Sequence, residues 1–284
     1  MNLKEARDII RNKLSEIGIT NQRESDELVV YATGKSASKM PDHTVKESEK
    51  RILHELMKRR LDHEPLQYII GEWDFYEKTF AVGDGVLIPR QDTETLVVKC
   101  IAENKEKSDL TVIDLCAGSG CIGLTLEDRL NVSKLIMIEK SEAAFDYLKR
   151  NSDNFGSGAE LLLGDIFDDA VIKDLPKADL ITCNPPYLSV DDMLPKNLQP
   201  EVAYEPFEAL YGGQDGLDYY SRIARAYKDI LKKDGKMYLE IGMGQEQEVM
   251  TALIQNGYTN VRKHKDLAGV YRVITAEVKD EYAD

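Results

Sequence analysis

Three features of this 284-residue chain predict an α/β fold with a mostly parallel sheet, preceded by a small helical domain and a β-hairpin linker. Short apolar runs recur at 110–115, 134–138, 161–163, 180–183, 236–241 and 270–278, with helical patterns such as 141–149 and 217–231 between them. Such alternation builds a parallel sheet covered by helices on both faces. Before residue 61 the apolar residues keep helical spacing only, and between the two regions lies an aromatic, β-branched stretch.

In chain order, Leu3, Ala6, Ile10, Leu14 and Ile17, then Leu28, Val29 and Ala32, then Ile52, Leu53 and Leu56 mark at least three short helices. Gly18 with Asn21, Gly34 with Ser36, and Pro41 separate them, as turn and cap residues do. Gly34-Lys35-Ser36 ends like a phosphate-binding loop, but Val29 stands where that loop needs its first glycine, so a helix-ending turn is the better reading. After Pro65 come Trp73, Phe75, Tyr76, Thr79, Phe80 and Val82, then Gly83-Asp84-Gly85, then Val86-Leu87-Ile88, read together as a hairpin with Trp73 as its anchor. A helix over about 92–102 leads into the sheet. The expected domains are residues 1–71 (helical, substrate recognition), 72–90 (hairpin linker) and 91–284 (catalytic).

Charge narrows the function. The chain carries 37 Lys and Arg against 51 Asp and Glu, a net −14. Residues 1–70 are nearly neutral, with 13 basic and 12 acidic side chains, so residues 71–284 hold 24 against 39 and a net −15. That argues against DNA or RNA phosphates as the main partner. No apolar run has the length of a membrane span, and charges at positions 4, 5, 7 and 8 leave no apolar leader, so a cytoplasmic protein is expected. Cys100, Cys116, Cys121 and Cys183 show no zinc-type spacing and fit reduced thiols, and the four histidines are scattered, so no metal is expected.

The chemistry begins after the first apolar run, at Asp114-Leu115-Cys116-Ala117-Gly118-Ser119-Gly120-Cys121-Ile122-Gly123. Glycines at 118, 120 and 123 match G-x-G-x-x-G, which turns a strand tightly into a helix and lets a ligand approach the backbone. The next strand ends at Glu139, nineteen residues after Gly120, where a carboxylate can accept ribose hydroxyls. Nicotinamide dinucleotides and S-adenosylmethionine both satisfy this much. Asp114 favours the second: a carboxylate inside the strand end suits a ligand bearing an ammonium and a sulfonium better than a pyrophosphate. The third strand ends Gly164-Asp165-Ile166, placing an acid where it can accept an adenine amino group.

The fourth strand runs into Asn184-Pro185-Pro186-Tyr187, at the strand end where open α/β sheets bind ligands. The prolines hold Asn184 and Pro185 extended. A planar –NH₂ on a carbonyl or aromatic ring is a poor nucleophile because its lone pair is delocalised. The Asn184 side-chain oxygen and the Pro185 carbonyl are two acceptors that can each take one of its N–H groups and aim the nitrogen at an electrophilic methyl, while Tyr187 stacks on the flat group. This is catalysis by positioning and fixed dipoles.

These motifs resemble class I S-adenosylmethionine-dependent methyltransferases acting on amide or amino nitrogen. Glu64-Pro65-Leu66-Gln67-Tyr68-Ile69 with Gly71, Leu87-Ile88-Pro89-Arg90, Asp92-Thr93-Glu94, and Tyr204-Glu205-Pro206 with Ala209-Leu210 narrow the resemblance to the protein-(glutamine-N5) methyltransferases, over nearly the whole chain. The resemblance implies a Rossmann-like catalytic domain with a seven-stranded, mostly parallel sheet. It also implies methylation of the glutamine in the Gly-Gly-Gln loop of class 1 peptide chain release factors during translation termination; apart from the resemblance, a monomer without DNA, membrane or metal is expected. Cofactor positions carried over are Cys116, Ala117, Gly118, Ser119, Gly120, Glu139, Asp165, Ile166 and Asn184, with Asp114 added from the reasoning above. Substrate positions are Asn184, Pro185, Pro186 and Tyr187, of which Asn184, Pro185 and Tyr187 are the catalytic candidates. Arg90, Thr93 and Glu94 are candidates for shaping the methionine end of the cofactor pocket. Cys116 stands where the family pattern has a glycine, and Gln91 where it often has a proline. The other readings are a ribosomal-protein glutamine as substrate, N6-adenine DNA methylation, and a nucleotide-binding module without catalysis.

Overall fold

The computed structural model describes residues 1–278 and divides into two compact units, so the last six residues of the expected catalytic domain lie outside the described residues. The first unit comprises Met1–Glu72 together with Pro200–Tyr204. Its helices are α1 (Leu3–Glu16), α2 (Gln22–Thr33), α3 (Glu47–Leu61) and the short α4 (Leu66–Ile70). Asn2 and Glu5 cap α1 reciprocally, each side chain accepting from the other's backbone N–H at 2.9 Å. Asn21 caps the start of α2, and Gly34 ends it in the left-handed region, as their residue types demand. Leu3, Ala6, Ile10 and Leu14 of α1 meet Leu28 and Val29 of α2 and Leu53 and Leu56 of α3 in one apolar core. Arg60 is buried in this unit, where Glu24 and Glu201 flank it at 2.7 and 2.8 Å. Residues 200–204, which the sequence reading counts with the catalytic part, group here instead, held by that guanidinium and by a hydrogen bond from the Tyr204 hydroxyl to the Asp62 carbonyl.

The hairpin is β1 (Glu72–Phe75) and β2 (Lys78–Ala81). Its turn falls at Tyr76-Glu77, both at positive φ, and not at Gly83-Asp84-Gly85. A two-residue turn with both φ positive matches the right-handed twist of the strands, and here it forms without glycine or asparagine. Residues 83–85 instead lie beyond the hairpin on the way to the catalytic site.

The second unit continues through α5 (Glu94–Asn104), β3 (Leu110–Leu115), α6 (Cys121–Arg129), β4 (Val132–Glu139), α7 (Glu142–Phe155), β5 (Glu160–Leu163), α8 (Asp169–Lys173) and β6 (Ala178–Cys183). It then runs through α9 (Phe207–Leu210), α10 (Asp218–Ala226), β7 (Leu231–Glu240), α11 (Glu246–Gln255), β8 (Thr259–Lys265) and β9 (Tyr271–Glu277). The seven strands lie in the order β5-β4-β3-β6-β7-β9-β8, parallel except that β9 runs against β7 and β8. Side chains alternate across the sheet with the period of two that strands impose. Ile113, Leu115, Ile181 and Cys183 face one core, closed by Tyr220 and Ile223 of α10 and by Val249 of α11. Val112 and Leu180 face the other, closed by Leu96 and Val97 of α5 and by Leu124 of α6.

Connectivity fixes where a ligand can sit. The chain steps outward from β3 to β4 and β5, then returns to the other side of β3 as β6. At that reversal the loops leaving β3 and β6 diverge and open a crevice at the carboxyl ends of the strands.

Candidate active site

The crevice is a cavity of about 850 Å³, open to solvent, with walls built from the ends of β3, β4, β5 and β6. The β3 loop forms one wall through Cys116, Ala117, Gly118 and Ser119, followed by the first turn of α6. Cys116, Gly118 and Gly120 all take left-handed backbone, with φ of +55°, +55° and +81°. At Gly120 a side chain would be strained and would push on its neighbours: an added Cβ would lie 2.6 Å from Leu148 Cδ1 and 2.9 Å from Leu124 Cδ1. Gly120 thus lets the loop pack on α6 and α7 behind the cavity; it is not itself in the wall. Cys116 holds a conformation that favours glycine, at a steric cost of about 1–2 kcal/mol.

Glu139 ends β4 in the wall and is nearly buried. Its two oxygens accept from the Gly118 and Ser141 backbone N–H groups, each at 2.8 Å. Burial pushes its carboxyl up, and those backbone donors oppose the push. Both oxygens keep a free lone pair for further donors. Asp165 and Ile166 lie in the wall at the end of β5; Asp165 accepts from the Phe167 N–H at 2.9 Å, and the Ile166 carbonyl accepts from Arg222 Nε at 2.9 Å.

Asp114 was expected to face the ligand, and the geometry places it elsewhere. It is fully buried behind the loop, with one oxygen accepting from Thr182 Oγ1 at 2.7 Å and the other from the Gly123 N–H at 3.0 Å. Burial raises its carboxyl to about 7. With both oxygens engaged by β6 and α6, Asp114 ties the loop to the sheet.

Asn184 and Pro186 stand in the wall at the end of β6; Pro185 and Tyr187 do not. The Asn184 Nδ2 donates to Thr93 Oγ1 at 3.2 Å. Tyr187 was expected to stack on a flat substrate group. Its ring instead packs against the core and over Gly242, and its carbonyl accepts from Gln245 Nε2 at 2.9 Å. Burial pushes its hydroxyl far above the ordinary tyrosine range. Of the residues considered for the cofactor's methionine end, Arg90 and Thr93 line the cavity, whereas Glu94 turns away and accepts from the Tyr76 N–H at 3.1 Å. Arg90 pairs with the buried Glu205. The sequence reading missed Lys140 and Tyr219, which meet in the wall at 2.8 Å, and Pro206 and Ala209 opposite them. A lysine directly after a strand-ending Glu139 was the available signal. Among the described residues no group of His, Cys, Asp and Glu is placed to hold a metal ion, and no helix is long and apolar enough to cross a membrane.

This arrangement, a left-handed loop after β3, a carboxylate after β4 and an asparagine after β6, has relatives. Residues 5–71 match the family model described as PrmC N-terminal domain, and residues 91–199 match the methyltransferase small domain. A release factor glutamine methyltransferase of Thermodesulfovibrio yellowstonii is 37% identical, covering 96% of this chain and 91% of that one. Its counterpart in Geobacter sulfurreducens is 33% identical, covering 97% and 96%. Among solved structures, the T. thermophilus 16S rRNA N2 G1207 methyltransferase in complex with AdoMet and guanosine shares the fold, with a TM-score of 0.52 and 18% identity over 73% of this chain and 50% of that one. Similarity at that level over nearly the full length of both chains settles the kinship: the chain is a methyltransferase and belongs to the release factor glutamine methyltransferase family.

Proposed function

We propose that the protein methylates the side-chain amide nitrogen of the glutamine in the Gly-Gly-Gln loop of a class 1 release factor, with S-adenosylmethionine as donor and S-adenosylhomocysteine as product. The observation that carries this reading is Asn184, an uncharged amide held in the wall of the cavity at the carboxyl ends of the strands, with its Nδ2 engaged by Thr93 and its Oδ1 left for a substrate N–H.

The residues present fit the donor. Gly118 and its neighbours bring backbone to the cavity, Glu139 offers two lone pairs to ribose hydroxyls, and Asp165 with Ile166 offers an acceptor beside an apolar surface for adenine. When bound, S-adenosylmethionine supplies an electrophilic methyl on a sulfonium.

A glutamine amide nitrogen keeps its lone pair in the amide π system and needs orientation more than prior deprotonation; as the N–CH₃ bond forms and the S–CH₃ bond breaks, the surplus N–H proton leaves to solvent through the open cavity. Asn184 Oδ1, in the wall, accepts one of its N–H groups; the Pro185 carbonyl, one residue on and outside the wall, is the proposed second acceptor once the substrate is seated, and the two together fix the nitrogen's direction. Pro185 and Pro186, without N–H groups, offer this segment no donors that compete for those acceptors. Such positioning by preset dipoles contributes on the order of several kcal/mol. Tyr187 supports the motif from behind through its packing on Gly242. The near-neutral N-terminal unit is the proposed recognition surface for the release factor, and the −15 carried by residues 71–284 disfavours DNA.

The test is transfer of labelled methyl to a purified release factor, to a ribosomal protein rich in accessible glutamine, and to bare DNA. Label confined to the release factor, at the glutamine of Gly-Gly-Gln by peptide mass spectrometry, is the expected result. Label on the ribosomal protein or on DNA alone overturns the proposal.

A further inference from the structure

The Gln245 side chain does not serve its own helix. It stands at the N-cap of α11, where Ser, Thr, Asp and Asn are favoured because a short side chain reaches the first free N–H groups, and it makes no capping hydrogen bond. Its amide instead joins backbone from three places: Oε1 accepts from the Gly242 N–H at 2.9 Å, and Nε2 donates to the Tyr187 carbonyl at 2.9 Å and to the Gly216 carbonyl at 3.3 Å. Each partner is a backbone N–H or C=O, so the amide fits in one orientation only. The surroundings leave room for this side chain and no more. A Cβ at Gly216 would lie 2.3 Å from the Tyr187 carbonyl oxygen and 2.7 Å from Gln245 Nε2, and one at Gly242 would lie 2.6 Å from Gln245 Oε1.

Tyr187 is where such a fastening is needed. Asn184 follows Cys183, which is in register with Leu115 of β3 and Leu239 of β7. Pro185 and Pro186 have no N–H, so neither can be anchored by a donor of its own. Tyr187 and Leu188 are the next residues that can be held, and both are. Gln245 takes the Tyr187 carbonyl, the Leu188 N–H donates to the Leu210 carbonyl at 2.8 Å, and the Leu188 carbonyl accepts from the Gly212 N–H at 2.9 Å. With φ fixed at both prolines, the direction of the Pro185 carbonyl and the setting of Asn184 follow from the anchors at the two ends. We propose that Gln245 is a positioning residue for methyl transfer: it pins the Tyr187 carbonyl and so aligns Asn184 Oδ1 and the Pro185 carbonyl with the substrate amide. The inference rests on the role given to those two acceptors above. Gln245 stands outside the cavity wall, so it acts through the motif and not on the donor.

The test compares Gln245→Met, Gln245→Glu and Asn184→Ala in the full-length protein, by single-turnover methylation of a release factor at saturating donor and by calorimetry with S-adenosylhomocysteine. Methionine keeps the length of glutamine and removes its hydrogen bonds. Glutamate keeps the acceptor for Gly242 and removes the donor to Tyr187, which separates the pin from the rest of the cradle. Each is expected to lower the single-turnover rate about tenfold, while the Kd stays within about twofold. In an Asn184→Ala background, Gln245→Met is expected to lower the rate by less than about threefold, because acceptors that work as a unit are not additive. A wild-type rate in either Gln245 variant beside an impaired Asn184→Ala overturns this inference and leaves the Asn184 role standing. A wild-type rate in Asn184→Ala overturns both. A loss of donor affinity that matches the loss of rate, or an undiminished loss in the Asn184→Ala background, assigns Gln245 to the general stability of the fold and overturns the inference.

Discussion

Asn184→Ala is expected to lower kcat for release factor methylation by about 10²–10³, the loss typical when one preset dipole is removed from a reacting group. Donor affinity should change little, because alanine at 184 leaves Glu139, Asp165 and the β3 loop in place. A loss in kcat with unchanged donor Kd separates orientation of the amide from cofactor binding. Asn184→Asp makes the point sharper. It keeps an acceptor toward the substrate but cannot donate to Thr93 Oγ1, and it adds a charge beside Glu240. Single-turnover rates at saturating donor are the measurement, and rates of wild-type size in Asn184→Ala end the proposed role.

The second large effect is at the donor. Glu139→Ala removes the acceptors proposed for the ribose and strips the Gly118 and Ser141 N–H groups of the partners that hold the loop. Hydrogen bonds to a carboxylate contribute about 1.5–3 kcal/mol each. Losing even two ribose contacts therefore raises the donor Kd by about 10²-fold or more. Glu139→Gln keeps one oxygen for the loop or the ribose and should fall between. Calorimetric titration with S-adenosylhomocysteine reads this without turnover. An unchanged Kd removes Glu139 from the cofactor site, and with it the main support for reading the cavity as a nucleoside pocket.

Much of this architecture is legible in the sequence because burial on both faces writes it there. The runs at 110–115 and 180–183 mark β3 and β6 closely, since a strand between two helical layers is apolar at nearly every buried position, Asp114 and Thr182 being the hydrogen-bonded exceptions. β8 left no such mark. Thr259–Lys265 reads Thr-Asn-Val-Arg-Lys-His-Lys, because an edge strand facing solvent has no apolar side to declare and is protected from aggregation by its charges. The helical pattern at 217–231 breaks after Ala226 into a 3-10 turn at Lys228–Ile230 and then the strand β7, so pattern alone overran the helix end.

The site is legible only in part, for a related reason. Residues that touch a ligand stand in loops with demanding backbone, and Cys116–Gly120 and Asn184 announce themselves by glycine and proline. Residues that hold those loops look ordinary. Asp114 carries the mark of a ligand contact, an acid in an apolar strand, yet it binds the loop itself, and spacing cannot tell the two apart. Glu240 sits in the apolar run at 236–241 with the same mark, which the sequence reading passed over because no motif surrounds it. Only the register of β6 with β7 brings the end of that run beside Asn184.

The left-handed cysteine in the β3 loop makes the protein carry its own occupancy reporter. Cys100, Cys121 and Cys183 are buried, and burial raises each thiol, that of Cys121 to about 12, so they are poor nucleophiles. Cys116 alone is part-exposed, and it lines the cavity. A soft alkylating reagent is therefore expected to modify Cys116 first, and S-adenosylhomocysteine to shield it in proportion to occupancy. Peptide mass spectrometry after brief treatment checks this, and first modification at any other cysteine refutes it. A cysteine in the cofactor loop thus gives a chemical footprint of the bound donor, read without turnover.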